Sequence, residues 1–232
     1  MKYQGSKNRI AKYILPLITE RLKPEQWYVE PFMGGANMMD KVEHSHRIGA
    51  DLNYHLIEMW RALQKGWMPP ENVSRDEHTY LKQAQDIEDP ALVAFVGICC
   101  SHSGRWFTGY ASCKKNRNYA REGRDNLMKQ IQKLDRVVLE CSDYRDLDIP
   151  AKSLIYCDPP YKGTADYLHG LDHDIFWQWC REKAREGHTV LISEYSAPDD
   201  FICLLEIEHY TSMTKDNKSK RIEKIFNYDE LF

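Results

Sequence analysis

The chain has 232 residues, of which 42% are hydrophobic and 12% aromatic, and a formal net charge of −3, so it is long enough to bury one sizeable core. Its longest apolar stretch, residues 91–100, is about half of the ~20 residues that cross a bilayer, and its opening residues lack the apolar segment of a secretory signal, so we expect a cytoplasmic protein. Seven cysteines without a C-x-x-C spacing favour reduced thiols over a disulfide framework or a zinc site, and we expect no metal ion.

Short apolar runs alternate with helix-like segments along most of the chain. The runs expected to be strands are residues 28–32, 48–51, 137–141, 154–157 and 190–193. Residues 172–186 follow the pattern of an amphipathic crossover helix. This alternation predicts a doubly wound α/β fold with a mainly parallel sheet. In such sheets ligands bind at the carboxyl ends of the strands, so we expect the site there.

The first apolar run leads directly into a glycine-rich turn, Glu30-Pro31-Phe32-Met33-Gly34-Gly35-Ala36. Two glycines allow a tight turn and a close approach to a ligand, although the turn lacks the G-x-G-x-x-G pattern of pyrophosphate sites. Asp51, at the end of the second run, stands where an acidic residue can accept hydrogen bonds from ribose hydroxyls. Together these features favour a nucleoside without a phosphate, such as S-adenosylmethionine; a plain tight turn is the alternative.

Residues 60–135 interrupt the alternation and predict a mainly helical inserted lobe between the two parts of a catalytic domain, residues 1–59 and 136–232. Residues 105–136, nearly all of them in the lobe, hold nine Lys and Arg against three Asp and Glu. Residues 215–224 hold five against two and lie between two β-like runs, at 206–210 and 224–228. Two basic islands on an acidic body predict a nucleic-acid face; merely solvated surface segments are the alternative.

Asp158-Pro159-Pro160-Tyr161 follows the fourth apolar run and is the motif that points to chemistry. The prolines stiffen the loop and donate no N–H. The Asp158 carboxylate and the Pro159 carbonyl can accept both N–H bonds of a nucleobase amine, while Tyr161 stacks on a base flipped out of the duplex. A sulfonium methyl donor is already activated, so in-line positioning, which can remove ~7–11 kcal/mol of barrier, is the main task. A rigid strand exit with a capping Asp is the alternative.

Five motifs carry a resemblance to a known family: Tyr3-Gln4-Gly5-Ser6-Lys7, the turn at residues 29–37, and residues 50–53, 141–144 and 157–161. In this order the sequence resembles, over almost its whole length, Dam-like DNA adenine methyltransferases of the D12 class, the α group of amino-methyltransferases. The resemblance implies a Rossmann-like S-adenosylmethionine-dependent methyltransferase of phage or prophage type that methylates N6 of adenine in double-stranded DNA. One departure is that the second glycine of the family's FxGxG turn is Ala36 here.

The motifs and the resemblance together assign three sets of residues. The resemblance places Asp143 against the adenine of the cofactor. The cofactor-binding residues are expected to be Tyr3, Lys7, Glu30, Phe32, Gly34, Gly35, Asp51, Asn53, Asp143, Tyr144 and Asp158. The catalytic residues are expected to be Asp158, Pro159, Pro160 and Tyr161. The DNA-binding residues are expected to be Arg105, Trp106, Tyr110, Lys114, Lys115, Arg117, Lys218, Lys220 and Arg221.

Three other functions stay open. Methylation of cytosine N4 or of adenine in RNA uses a related site, but Asp rather than Ser before the prolines favours adenine. A DNA-binding relative without turnover is a third alternative, which the intact Lys7, Asp51 and Asp158 argue against. We expect a monomer, with a weak dimer as the alternative, and a role in restriction-modification, in a phage or on a host genome.

Overall fold

The computed structural model describes residues 1–112, 117–161, 170–214 and 217–228, except for the side chains of residues 209–221. The strands in this part of the chain are β1 Tyr28–Glu30, β2 Arg47–Asp51, β3 Val138–Cys141, β4 Leu154–Cys157, β5 Thr189–Glu194, β6 Phe201–Thr214 and β7 Asn217–Tyr228. They form one sheet in the order β3-β2-β1-β4-β5-β7-β6. The first five pair in parallel, and β7 runs antiparallel to both β5 and β6. The predicted Rossmann-like α/β fold class is confirmed.

The helices lie on both faces of this sheet. They are α1 Ala11–Arg21, α2 Tyr54–Gln64, α3 Arg75–Gln83, α4 Pro90–Cys99, α5 Tyr119–Ile131 and α6 His173–Arg185. Side-chain caps set where the helices beside the site begin: Asn53 accepts a hydrogen bond from Leu56 N at the start of α2, and Asp172 accepts from Ile175 N at the start of α6. Each cap satisfies backbone N–H groups that have no partner within the helix.

Two apolar layers cover the sheet. On one side Phe176 and Trp179 of α6 pack in a cluster with Val29 and Ile155 of the central strands. On the other side the helices between β2 and β3 pack in a cluster that includes Tyr156 of β4. The apolar cluster therefore joins the predicted inserted lobe to the sheet, and the division of the chain at residues 60 and 135 stays a prediction.

Helix α4 contains most of the longest apolar stretch of the sequence. It is buried nearly all round, from Ala91 to Cys99, as expected for a helix that is hydrophobic on every face. Among the described residues, none of the helices combines the length and the apolar character that a membrane span requires. In the same part of the chain, no group of three or more His, Cys, Asp or Glu side chains is placed to hold a metal ion.

Candidate active site

A cavity of about 260 Å³ opens at the carboxyl ends of the central strands. Its wall is built from the N-terminal segment, the turn after β1, and the residues that follow β2, β3 and β4. All of the residues expected to bind the cofactor line this cavity: Tyr3, Lys7, Glu30, Phe32, Gly34, Gly35, Asp51, Asn53, Asp143, Tyr144 and Asp158. The fold thus brings five separate motifs together, as the rule for α/β sheets predicts. Their role toward a cofactor stays a prediction.

The glycine turn after β1 makes room for a side chain of the protein itself. A Cβ on Gly34 would lie 2.7 Å from Cε1 of Tyr3, and one on Gly35 would lie 2.7 Å from Cβ of Tyr3. Gly34 also has φ +47°, a conformation that favours glycine. Ala36, which replaces the family's second glycine, has φ +53°, a backbone conformation that costs a non-glycine residue about 1–2 kcal/mol.

Asp51 holds this turn closed. Its Oδ2 accepts a hydrogen bond from Gly34 N and its Oδ1 accepts one from Asn53 N, each at 2.9 Å. A carboxylate has about four acceptor positions, and Asp51 also lines the cavity. The same side chain can therefore fix the turn and face a ribose.

Residues 143–145 form the wall beyond β3. Arg145 donates two hydrogen bonds to Asp143, from Nε to Oδ1 at 2.8 Å and from Nη2 to Oδ2 at 3.0 Å. Hydrogen bonding by Arg145 holds the pKa of Asp143 below its ordinary value, so this carboxylate is ionised. Tyr144 packs against Phe32 with ring centroids 5.3 Å apart and gives the cavity an apolar side.

Lys7 is the centre of a buried charge cluster next to the Asp-Pro-Pro-Tyr motif. Its Nζ lies 2.6 Å from Oδ1 of Asp158 and 3.0 Å from Oε1 of Glu223, and it donates to the carbonyl of Gly5 at 3.2 Å. The Lys7 side chain is 7% exposed and that of Asp158 23%. The Asp158 carboxylate is therefore partly exposed to the cavity, while Lys7 binds its Oδ1.

Burial and charge together set the protonation of this cluster. Burial raises the pKa of Asp158 to about 6, the charge of Glu223 adds to the rise, and Lys7 opposes it. Burial by itself lowers the pKa of Lys7, but the carboxylates of Asp158 and Glu223 outweigh it and hold that pKa above its ordinary value. Burial also raises the pKa of Glu30, on the same wall, to about 8. At neutral pH Asp158 is largely an acceptor and Glu30 largely protonated.

The ring of Tyr161 is buried in this structure. Nζ of Lys7 stands 4.6 Å from its centroid, Tyr195 packs edge-on at 4.7 Å, and its hydroxyl donates to Oε1 of Glu223. Its expected stacking on a flipped base stays a prediction. Of the two prolines, Pro159 is buried and Pro160 lines the cavity.

Glu223 is the residue of this cluster that the sequence motifs missed. It lies in β7, more than sixty positions from Tyr161 along the chain. The sequence pattern of the strand could have revealed it, because Glu223 lies two positions before the fully buried Ile225 and alternate residues of a strand share a face. A carboxylate on the apolar face of a strand requires a charged or hydrogen-bonded partner.

Two of the expected DNA-binding residues of the lobe, Arg105 and Trp106, line a second cavity of about 460 Å³, which shares Tyr3, Gln4 and Asn53 with the first. Arg105 is exposed at its rim, and half-buried Trp106 donates from Nε1 to Gln85 at 3.1 Å. Trp106 is thus partly local core and partly cavity wall.

Two further lobe residues have internal partners. The hydroxyl of Tyr110 donates to the carbonyl of Val73 at 2.8 Å, and Arg117 pairs with Glu122 at 2.5 Å. Lys114 and Lys115 lie outside the described residues. Contact of any of these residues with DNA stays a prediction.

The second basic island lies on the hairpin of β6 and β7, whose strands contain the two β-like runs. Lys218, Lys220 and Arg221 stand on β7 opposite Ser212, Tyr210 and His209 of β6. The side chains of these three basic residues lie outside the described part of the structure. The hairpin is confirmed, and its contact with DNA stays a prediction.

The sequence model of the D12 class N6 adenine-specific DNA methyltransferases matches residues 3–201. The chain belongs to this family. Two curated family relatives, both named DNA adenine methylase, come from the Classical Ogawa 395 and El Tor Inaba N16961 strains of Vibrio cholerae serotype O1. Each is 27% identical over 176 residues, a match that covers 65% of this chain and 62% of the relative. The chain thus spans less than two thirds of the length of these relatives.

Solved structures give a distant match. A crystal structure of an S-adenosylmethionine-dependent methyltransferase from Clostridium acetobutylicum shares 11% sequence identity and a TM-score of 0.36, over 98% of this chain and 75% of that one.

Proposed function

We propose that this D12-class protein transfers the methyl group of S-adenosylmethionine to N6 of adenine in double-stranded DNA. The single observation that carries the proposal is the Asp158 carboxylate, held by Lys7 at 2.6 Å on the wall of the cavity that also presents Asp51. Family membership supports the choice of adenine and of DNA.

The residues of the cavity fit S-adenosylmethionine. Asp51 places a carboxylate, the group that accepts from ribose hydroxyls, on the cavity wall, and Phe32 and Tyr144 give an apolar wall for a purine ring. Acidic side chains outnumber basic ones on the cavity wall, even with Lys7 paired to Asp158 and Arg145 to Asp143, which suits a ligand with a positive charge. When bound, this cofactor supplies an activated methyl group on a sulfonium.

Asp158 and Pro159 orient the amine. The Asp158 carboxylate and the Pro159 carbonyl accept the two N–H bonds, which turns the nitrogen lone pair out of the ring plane and toward the methyl carbon. A nitrogen held in this way would be oriented to accept the methyl group that the bound cofactor supplies. The nitrogen is left with a surplus proton, which Asp158 is placed to accept. Orientation of this kind is worth ~7–11 kcal/mol of barrier.

DNA is the partner that this reaction requires, and the protein would work as a monomer in the cytoplasm, within a restriction-modification system, in a phage or on a host genome. The target adenine has to leave the helix to reach the cavity, because a paired base hides its exocyclic amine in the stack. The basic residues at 105–117 and 218–221 would contact phosphates on either side of the flipped base.

The test is methyl transfer from tritiated S-adenosylmethionine to duplex DNA, followed by nucleoside analysis. We expect N6-methyladenine as the product. We expect Asp158→Ala to lower turnover by ~10²–10⁴-fold, as loss of a positioned proton acceptor does, with folding retained. Asp148→Ala, which removes an exposed carboxylate outside the cavity, is the matched control.

Each alternative gives a different result in the same assay. N4-methylcytosine or label in RNA alone would point to the related amino-methyltransferases, and absence of transfer with retained DNA binding would point to a non-catalytic relative. Near wild-type turnover in Asp158→Ala would contradict the catalytic assignment.

A further inference from the structure

Glu223 connects the loop at residues 158–161 with a strand that is remote from this loop in the sequence. It lies in β7 opposite Ile207 of β6 and is 4% exposed. Its Oε1 lies 3.0 Å from Nζ of Lys7 and also accepts the hydrogen bond of the Tyr161 hydroxyl. One carboxylate oxygen thus contacts both a cation and an aromatic side chain that pack against Asp158.

The contacts of Lys7 account for the whole of its hydrogen-bonding capacity. An ammonium group has three N–H donors, and three acceptors surround Nζ, namely the Gly5 carbonyl, Asp158 and Glu223. With all three in place the ammonium has one orientation. Without Glu223, one donor would lose its acceptor in a buried place, and Lys7 would be free to turn or shift.

We propose that Glu223 is a positioning residue for methyl transfer, which fixes Lys7 and Tyr161 and, through Lys7, the orientation of the Asp158 carboxylate. This inference rests on the proposed function. Because Lys7 holds Oδ1 of Asp158, the orientation of the whole carboxylate follows that of the ammonium group. A shift of about 1 Å in such an acceptor can lower turnover ~10²-fold, even when the altered residue does not touch the substrate.

The charge of Glu223 gives the proposal a readout beyond activity. Two buried carboxylates share the single ammonium of Lys7, and repulsion from Glu223 contributes to the raised pKa of Asp158. If Asp158 must be ionised to accept the amine, kcat/KM of the wild type falls below about pH 6, since this parameter reports the free enzyme. Removal of the Glu223 charge lowers the pKa of Asp158, so this acid limb moves to lower pH.

The experiment compares Glu223→Gln, Glu223→Asp and Glu206→Gln with the wild type over pH 5–9, in the tritium-transfer assay. Glu206→Gln is the matched control, because it removes an exposed carboxylate from the same hairpin, paired with Lys224 at 2.7 Å. For Glu223→Gln we expect a plateau lowered by ~10–100-fold and an acid limb at lower pH. For Glu223→Asp, which keeps the charge but shortens the side chain, we expect a lowered plateau with the limb in place.

The outcomes separate the two proposals. A wild type that forms no N6-methyladenine contradicts the proposed function itself. With an active wild type, a wild-type plateau in either Glu223 variant overturns the positioning role. A lower plateau in Glu223→Gln with an unmoved limb and a reduced melting temperature also overturns it, since that pattern describes a structural ion pair. If Glu223→Gln does not fold, Glu223→Asp decides: a lowered plateau with the limb in place and an unchanged melting temperature supports the positioning role, and a wild-type plateau or a reduced melting temperature overturns it.

Discussion

Asp51 illustrates how one side chain serves the backbone and a ligand together. Its two oxygens close the glycine turn by accepting from Gly34 and Asn53. Charge-assisted bonds of this kind are worth about 1.5–3 kcal/mol each. The carboxylate is therefore already oriented before a ribose arrives, which reduces the entropy lost on binding.

Asp51→Ala is accordingly expected to weaken S-adenosylmethionine binding by ~10–100-fold, the equivalent of one lost charge-assisted bond. Because Gly34 N and Asn53 N lose their acceptors, the melting temperature should fall as well. Affinity for DNA should be largely spared. Calorimetry with the cofactor measures the effect, with Asp148→Ala as the control, and an unchanged Kd would count against the ribose role.

Residues near a motif were predictable, whereas partners from remote elements were not. Lys7, Asp51 and Asp158 come from short patterns whose chemistry is local, and the cavity brings them together. The contact of Tyr3 with the glycine turn and that of Glu223 with Lys7 depend on how distant segments pack. Spacing along the chain does not encode those distances.

At the scale of elements, the packing of α4 against the aromatic loop that follows it requires a residue without a side chain at Gly97. Gly97 of α4 has Cε2 of Phe107 where its Cβ would be, at 2.7 Å, and Phe107 N donates to Gly97 O at 2.8 Å. Phe107 itself has φ +44°, a backbone conformation that favours glycine. The helix thus fixes the loop that carries Arg105 and Trp106.

Gly97→Ala should destabilise the protein although alanine is the better helix former. The gain in helix propensity is about 1 kcal/mol, while overpacking against the Phe107 ring costs about 1–3 kcal/mol. Urea unfolding measures the net loss. In the double mutant Gly97→Ala/Phe107→Leu, the smaller leucine side chain should restore part of the lost unfolding free energy. If the double mutant instead loses at least as much unfolding free energy as the two single mutants together, the packing argument is contradicted.

The strands were predictable because buried parallel strands are nearly continuous apolar runs. All five runs lie in β1 to β5, with boundaries that differ by up to two residues; β1 ends at Glu30 because Met33 N already bonds to Ala50 O in the turn. Helix α6 was equally clear from its periodicity. The hairpin strands β6 and β7 extend well beyond their apolar runs, because cross-strand hydrogen bonds continue where the side chains turn polar.

At the scale of the whole molecule, folding changes the charge pattern that the linear sequence suggests. Glu71, outside the basic island at 105–136, pairs with Arg121 at 2.8 Å and with Arg124 at 2.7 Å. Arg117 pairs with Glu122 at 2.5 Å. The count of charges within the island includes Glu122 but misses Glu71, so the island offers less free positive charge than its composition indicates. Exposed pairs of this kind add only ~0–1 kcal/mol to the stability of the protein.

The contribution of each arginine to DNA binding is measurable through salt. Log K should fall linearly with log salt, by ~0.9 per phosphate contact on duplex DNA. Arg105 is exposed at the rim of the second cavity, so Arg105→Ala should reduce the slope by about one contact. Arg121→Ala is the matched control, because Glu71 already engages its guanidinium, and it should leave the slope near that of the wild type.

If Arg105 instead reads a base edge, its loss should relax the preference at one position by ~1–3 kcal/mol without changing the slope. Unchanged affinity, slope and site preference in Arg105→Ala would mean that this loop does not contact DNA, and the hairpin around Lys218 would then be the surface to mutate.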